Sequence, residues 1–72
     1  MNEHIVNYVN HLYSVSEGNP IKLAVLLNKD ILESNHVALD LMKGKRLNVD
    51  SILFTAESIV NQFNKENFKT KN

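Results

Sequence analysis

Three histidines are the residues of this chain best suited to bind a metal ion, because the imidazole nitrogen is a common zinc ligand. His4 and His11 are seven residues apart, which is about 10 Å along a helix, so they cannot share one ion. His36 has only Asp40 as a neighbouring ligand on the same helical face. A zinc site needs three or four protein ligands. We therefore interpret the histidines as exposed polar side chains and predict no metal or other cofactor.

Ser34, His36 and Asp40 are the residue types of a nucleophilic catalytic triad. On a helix, however, Ser34 and His36 lie about 200° apart and cannot hydrogen-bond to each other. The chain also has no glycine-rich loop that could bind phosphate, and no nucleophile with a neighbouring base. We predict that the protein is not an enzyme.

Lys43, Lys45 and Arg46 form a basic cluster that could contact the phosphates of nucleic acid. A helix-turn-helix protein also needs phosphate-contacting residues on its second helix. The helix predicted after this cluster has no lysine or arginine before Lys65. We favour the interpretation that the cluster complements the negatively polarised carbonyl end of the preceding helix. Nucleic-acid binding through Lys43, Lys45 and Arg46 is kept as the alternative function.

The total charge does not favour either a general nucleic-acid-binding protein or an acidic mimic of DNA. The chain has eight acidic and eight basic residues, so its formal charge is zero. The first 42 residues carry five acidic and two basic residues, whereas the last 30 carry three acidic and six basic residues. The resulting charge dipole could favour antiparallel association. Because the 72 residues include no cysteine, stability must come from helix packing or from a second chain.

The period of the apolar residues predicts an all-α fold. We expect one domain over residues 1–72, a small antiparallel three-helix bundle with helices over about 2–16, 20–43 and 49–66 and a frayed or disordered tail over 67–72. The second helix begins with Asn19 as its N-cap and Pro20 at its first position, and Gly44 is suited to close it. Asn48 or Asp50 is the predicted N-cap of the third helix.

One long central helix over residues 20–43 is the basis of this predicted bundle. Its polar residues fall on a single narrow stripe, namely Lys22, Lys29, Glu33, His36, Asp40 and Lys43. At 1.5 Å per residue, the helix would be about 36 Å long. The rest of its circumference is apolar over a wider arc than the two other helices can cover. We therefore predict a homodimer, with Leu32 and Leu39 among the interface residues.

Phe54 departs from the pattern of the third helix, because it projects from the polar side, away from apolar residues such as Val49, Ile52 and Leu53. One interpretation is local packing, in which the ring covers the end of the first helix or the tail folds over it. The other is an anchor for a dimer or for another protein. We predict an interface that includes Phe54 with Leu47 and Phe68.

No stretch approaches the roughly 20 apolar residues that span a bilayer, and the N-terminal residues do not form a secretory signal. We therefore expect a cytoplasmic protein that does not bind membranes. In its layout, which is small, rich in asparagine and lysine, cysteine-free and helical, the chain resembles the small regulators carried by phages, plasmids and low-GC Gram-positive bacteria. The resemblance is one of composition and transfers no residue role. It implies an inhibitor, adaptor or regulator that binds another protein.

Overall fold

Four α-helices form within residues 2–70, the part of the chain that the computed structural model describes, with side chains described for residues 2–66. They are α1 (Glu3–Val15), α2 (Pro20–Leu32), α3 (His36–Leu41) and α4 (Val49–Thr70). The predicted all-α class is confirmed. The number of helices differs from the predicted three because the central helix is divided.

An asparagine precedes each of the four helices and caps it. Its side-chain oxygen accepts hydrogen bonds from backbone N–H groups of the first turn, which have no partner within the helix. The caps are Asn2, Asn19, Asn35 and Asn48. The predicted cap at Asn19 followed by Pro20 is confirmed, and Asn48 is the cap of α4. The caps at Asn2 and Asn35 were not predicted.

The prediction of one helix over residues 20–43 is wrong, because the chain breaks between Leu32 and His36. Ser34 adopts a left-handed φ of 59°. Its N–H donates to the Ile31 carbonyl at 3.0 Å, and the N–H of Asn35 donates to the Asp30 carbonyl at 2.9 Å. This pair of bonds is the Schellman motif, which closes a helix at its C-terminus. The Asn35 side chain then caps α3.

The boundaries also differ at the later helix ends. α3 ends at Leu41, and Gly44 has the predicted left-handed conformation, with φ of 82°, in the segment that follows. α4 continues to Thr70, four residues beyond the predicted end at 66. Residues 67–70 of the predicted frayed tail therefore belong to α4, and residues 71 and 72 lie outside the described residues.

The core lies mainly between α2 and α4, which form the most extensive helix contact. These two helices are antiparallel: Pro20, at the start of α2, lines a hollow with Glu57 and Asn61, whereas the following residues of α2 line a groove with Val49, Ile52 and Leu53 at the start of α4. The buried apolar side chains are Leu12, Leu23, Leu27, Ala38, Met42, Ile52, Ala56, Ile59 and Val60. Burial of such side chains is the main stabilising contribution to the fold.

Besides the buried Leu12, two tyrosines connect α1 to the other helices. The Tyr13 ring stacks on Phe63 of α4 with a centroid separation of 4.6 Å, and its hydroxyl donates to Asn64 at 2.9 Å. The Tyr8 hydroxyl donates to Asp30 of α2 at 2.6 Å. Both tyrosines combine an apolar contact with a satisfied polar group, which lets α1 pack without an unpaired hydroxyl.

Candidate protein-interaction surfaces

A row of exposed apolar side chains runs along α2 on the side away from the core. Ile21, Val25 and Leu32 are 68, 63 and 76% exposed. Together with Asn28 they are spaced by four, three and four residues, which places them on one helical stripe. This spacing is that of a helix seam that packs against another helix.

The N-terminal half of α4 extends this apolar surface. Val49 is 77% exposed and Leu53 is half-buried. A groove of about 340 Å³ separates them from Ile21 and Val25. We name the surface formed by Ile21, Val25, Leu32, Val49 and Leu53 the α2–α4 face. Monomeric proteins seldom expose a large contiguous apolar patch, and such patches mark interaction sites.

Charged residues of opposite sign border the two sides of the α2–α4 face. Lys22 and Lys29 follow Ile21 and Asn28 on α2, on the side turned away from α4. Asp50 and Glu57 lie next to Val49 and Leu53 on the solvent side of α4. All four charged residues are exposed. The face therefore has one basic edge and one acidic edge.

Phe54 lies beyond the acidic edge and is 66% exposed. Its ring lies between two surface hollows. One hollow is lined by residues that include Pro20 and Glu57, and the other is lined by Lys45, Arg46, Asp50, Ser51 and Phe54 itself. The ring is thus not part of the core and has cationic side chains at one side.

The other predicted interface residues are distributed around the molecule. Leu32 lies on the α2–α4 face, and Leu47 is exposed in the segment between α3 and α4. Leu39 is half-buried in α3. Phe68 belongs to α4, but its side chain lies outside the described residues. The role of these residues in an interface stays a prediction.

The basic cluster lies in the segment between α3 and α4. Lys43, Lys45 and Arg46 are exposed there. The Lys45 ammonium donates a hydrogen bond to the Thr55 hydroxyl at 3.3 Å, and Thr55 is buried. Asp50 lines the same hollow as Lys45 and Arg46, and this carboxylate lowers the positive potential available to a phosphate.

The geometry at Ser34, His36 and Asp40 differs from the helix expected there. Because Ser34 ends one helix turn and His36 begins α3, the separation of about 200° that a continuous helix imposes does not apply. Among the described side chains, neither Ser34 nor His36 makes a hydrogen bond. Within the same part of the chain, no three His, Asp or Glu side chains lie close enough to hold a metal ion.

The Tyr8 hydroxyl of α1 has a clearly shifted pKa. Its partial burial, together with the hydrogen bond to the Asp30 carboxylate, raises the pKa of Tyr8 far above the ordinary value of 10.0. The phenol therefore stays protonated and keeps donating to Asp30. This pair connects α1 with α2, so we interpret it as structural.

Sequence reasoning placed part of the α2–α4 face in the core. Val49 and Leu53 follow the apolar period of α4, but Val49 is the first residue of that helix and is 77% exposed. Ile21 and Val25 belong to the wide apolar arc of the predicted central helix. The excess of apolar circumference on this helix was the signal that indicated an exposed apolar surface. For the described helices, none is long and apolar enough to cross a membrane.

No protein-family model, curated protein or solved structure matches this chain significantly. Function is therefore inferred from the chemistry of the α2–α4 face, Phe54 and the basic cluster.

Proposed function

We propose that the protein is a small non-enzymatic interaction module that acts as an inhibitor, adaptor or regulator by binding another protein. The exposed Phe54 ring is the observation that carries this proposal. Burying a phenylalanine side chain gains on the order of 1.5 to 3 kcal/mol, and large aromatic side chains are frequent anchors of protein interfaces. A ring of this size on an otherwise polar side of α4 is available to a partner without any unfolding.

The surroundings of Phe54 suggest the chemistry of its partner. Lys45 and Arg46 line the hollow beside the ring, so they can approach carboxylates at the rim of an apolar pocket. Arginine is favoured in this role because its guanidinium group binds carboxylates through two parallel hydrogen bonds. We therefore propose a partner with an apolar pocket bordered by acidic residues.

Affinity capture from cells of the native host tests this function. The wild-type chain is compared with Phe54→Ala and with the control Val15→Ala, which removes an exposed apolar side chain from α1. We expect Phe54→Ala to keep the helical circular dichroism spectrum and to lose a protein that the wild type and Val15→Ala both retain. Retention of every captured protein by a folded Phe54→Ala variant would contradict the proposal.

The alternative is a nucleic-acid-binding accessory protein, which is favoured by the exposure of Lys43, Lys45 and Arg46 in one segment. Binding through phosphate contacts weakens steeply with salt. The alternative predicts that duplex DNA binds measurably at 50 mM salt, weakens by roughly tenfold or more at 200 mM salt, and does not bind to Lys45→Glu/Arg46→Glu. Fluorescence anisotropy with a labelled duplex measures this. Absence of binding at low salt would eliminate it.

A further inference from the structure

We propose that a second copy of this chain covers the α2–α4 face, in a dimer whose twofold axis is parallel to α2 and α4. In this arrangement α2 of one protomer packs on α4 of its partner, and the reverse contact forms on the other side of the axis. The apolar residues of this interface do not include Phe54.

The apolar side chains of the face favour burial. Ile21, Val25, Leu32 and Val49 are each more than 60% exposed, and they lie on two adjacent antiparallel helices. A domain of 72 residues buries a smaller share of its surface than a large one, and oligomerisation is a common way to stabilise it. A twofold interface uses the same patch on both subunits. A patch that binds a second copy of the chain must therefore be complementary to itself.

The charged edges provide that self-complementarity. Lys22 and Lys29 are seven residues apart on the basic edge, and Asp50 and Glu57 are seven residues apart on the acidic edge. Each pair is therefore separated by about 10.5 Å along its helix. A basic edge and an acidic edge with the same spacing can meet in register.

The heights of these residues along the helices also agree. Pro20 and Glu57 line one hollow, so Lys22 lies near the level of Glu57. Lys29 is seven residues further along α2 and Asp50 is seven residues earlier along the antiparallel α4, so Lys29 lies near the level of Asp50. A twofold axis parallel to the helices keeps each height and exchanges the two edges. It brings Lys22 opposite Glu57 of the second copy, and Lys29 opposite Asp50 of that copy.

The other twofold arrangement is electrostatically unfavourable. An axis in the plane of the face but perpendicular to the helices packs α2 on α2 and α4 on α4. The two basic edges then meet, as do the two acidic edges, and such contacts between like charges oppose association. Lys22 also pairs with Glu17 at 3.6 Å within its own chain. That exposed pair is worth less than about 1 kcal/mol, so Lys22 can exchange partners.

Sedimentation equilibrium of charge-reversed variants tests the proposal. We expect the wild type to have twice the 8.2 kDa mass of the chain at micromolar concentrations. Lys22→Glu/Lys29→Glu and Asp50→Lys/Glu57→Lys should each dimerise at least about tenfold more weakly, because both edges then have the same sign. An equimolar mixture of these two variants should recover the dimer, and so should the quadruple variant that carries all four reversals.

A control variant separates an effect of the edges from an effect of net charge. Lys43→Glu/Lys65→Glu changes the net charge as Lys22→Glu/Lys29→Glu does, but it changes exposed residues away from the face. We expect this control to dimerise like the wild type. A monomeric wild type would overturn the proposal. Dimers of both edge variants that are as stable as the control would overturn it as well, since the perpendicular arrangement predicts that result.

Discussion

The Tyr8 hydroxyl donates a hydrogen bond of 2.6 Å to Oδ2 of Asp30 and thereby fixes α1 against the last turns of α2. The backbone carbonyl of Asp30 accepts the N–H of Asn35 at 2.9 Å. Asp30 thus contacts α1 through its side chain and closes α2 through its backbone. The position of α1 and the break after α2 are connected at this one residue.

Substitution of Tyr8 by phenylalanine should destabilise the protein by about 1 to 2 kcal/mol, because the half-buried Asp30 carboxylate loses its donor. Tyr13→Phe is the matched control. It keeps the ring stack on Phe63 and removes only an exposed hydrogen bond, which water can replace. Urea unfolding followed by circular dichroism measures both. Equal losses in the two variants would show that the Tyr8–Asp30 pair has no special contribution.

The raised pKa of Tyr8 predicts a loss of stability in alkaline solution. The folded state retains the phenol proton at pH values where the unfolded chain, with a tyrosine pKa of about 10, releases it. The contribution of Tyr8 to the free energy of unfolding is therefore complete below about pH 10 and decreases as the pH rises above that value. Unfolding in urea between pH 8 and 11 should show a steeper decrease for the wild type than for Tyr8→Phe. Parallel pH profiles would contradict this assignment.

Because the chain breaks between α2 and α3, substitutions at Ser34 and Asn35 should change the free energy of unfolding in the direction opposite to that expected for a continuous helix. Asn35→Ala should destabilise by about 1 kcal/mol because α3 loses its cap, whereas alanine would stabilise a helix interior. Ser34→Gly should stabilise by a few tenths of a kcal/mol up to about 1 kcal/mol, because glycine adopts the left-handed φ without strain. The same glycine would destabilise a continuous helix. Thermal unfolding of both variants determines the sign.

The sequence predicted the helical class and two of the four N-caps, Asn19 and, as one of two alternatives, Asn48, because these features depend on local chemistry. Asn19 before Pro20 and Asn48 before an apolar period are local signals, and both residues cap helices in the structure. The break at Ser34 was missed because the polar stripe keeps its helical period across the break. Ser34 followed by Asn35 carried the correct signal, since asparagine at an N-cap favours the start of a helix.

Which apolar residues form the core could not be predicted from periodicity alone. Val49 has the same helical phase as Val60, yet Val49 is exposed and Val60 is buried. The difference is set by what covers each end of α4, which is a property of the tertiary packing. Once the central helix is divided into α2 and α3, the row from Ile21 to Leu32 is left on the outside, with no described helix over it.

Cysteine cross-linking tests the central inference that the α2–α4 face is an interface between copies of this chain. Because the sequence has no cysteine, an introduced cysteine is the only residue of each chain that can form a disulfide. Val25→Cys and Leu53→Cys chains, carrying tags of different mass, are mixed and oxidised. Val25 and Leu53 line the same groove on the two antiparallel helices, so the twofold arrangement brings Val25 of one chain close to Leu53 of its partner. We expect a disulfide-linked dimer that contains one chain of each kind. Dimers of Val25→Cys alone, or monomers only, would contradict the account.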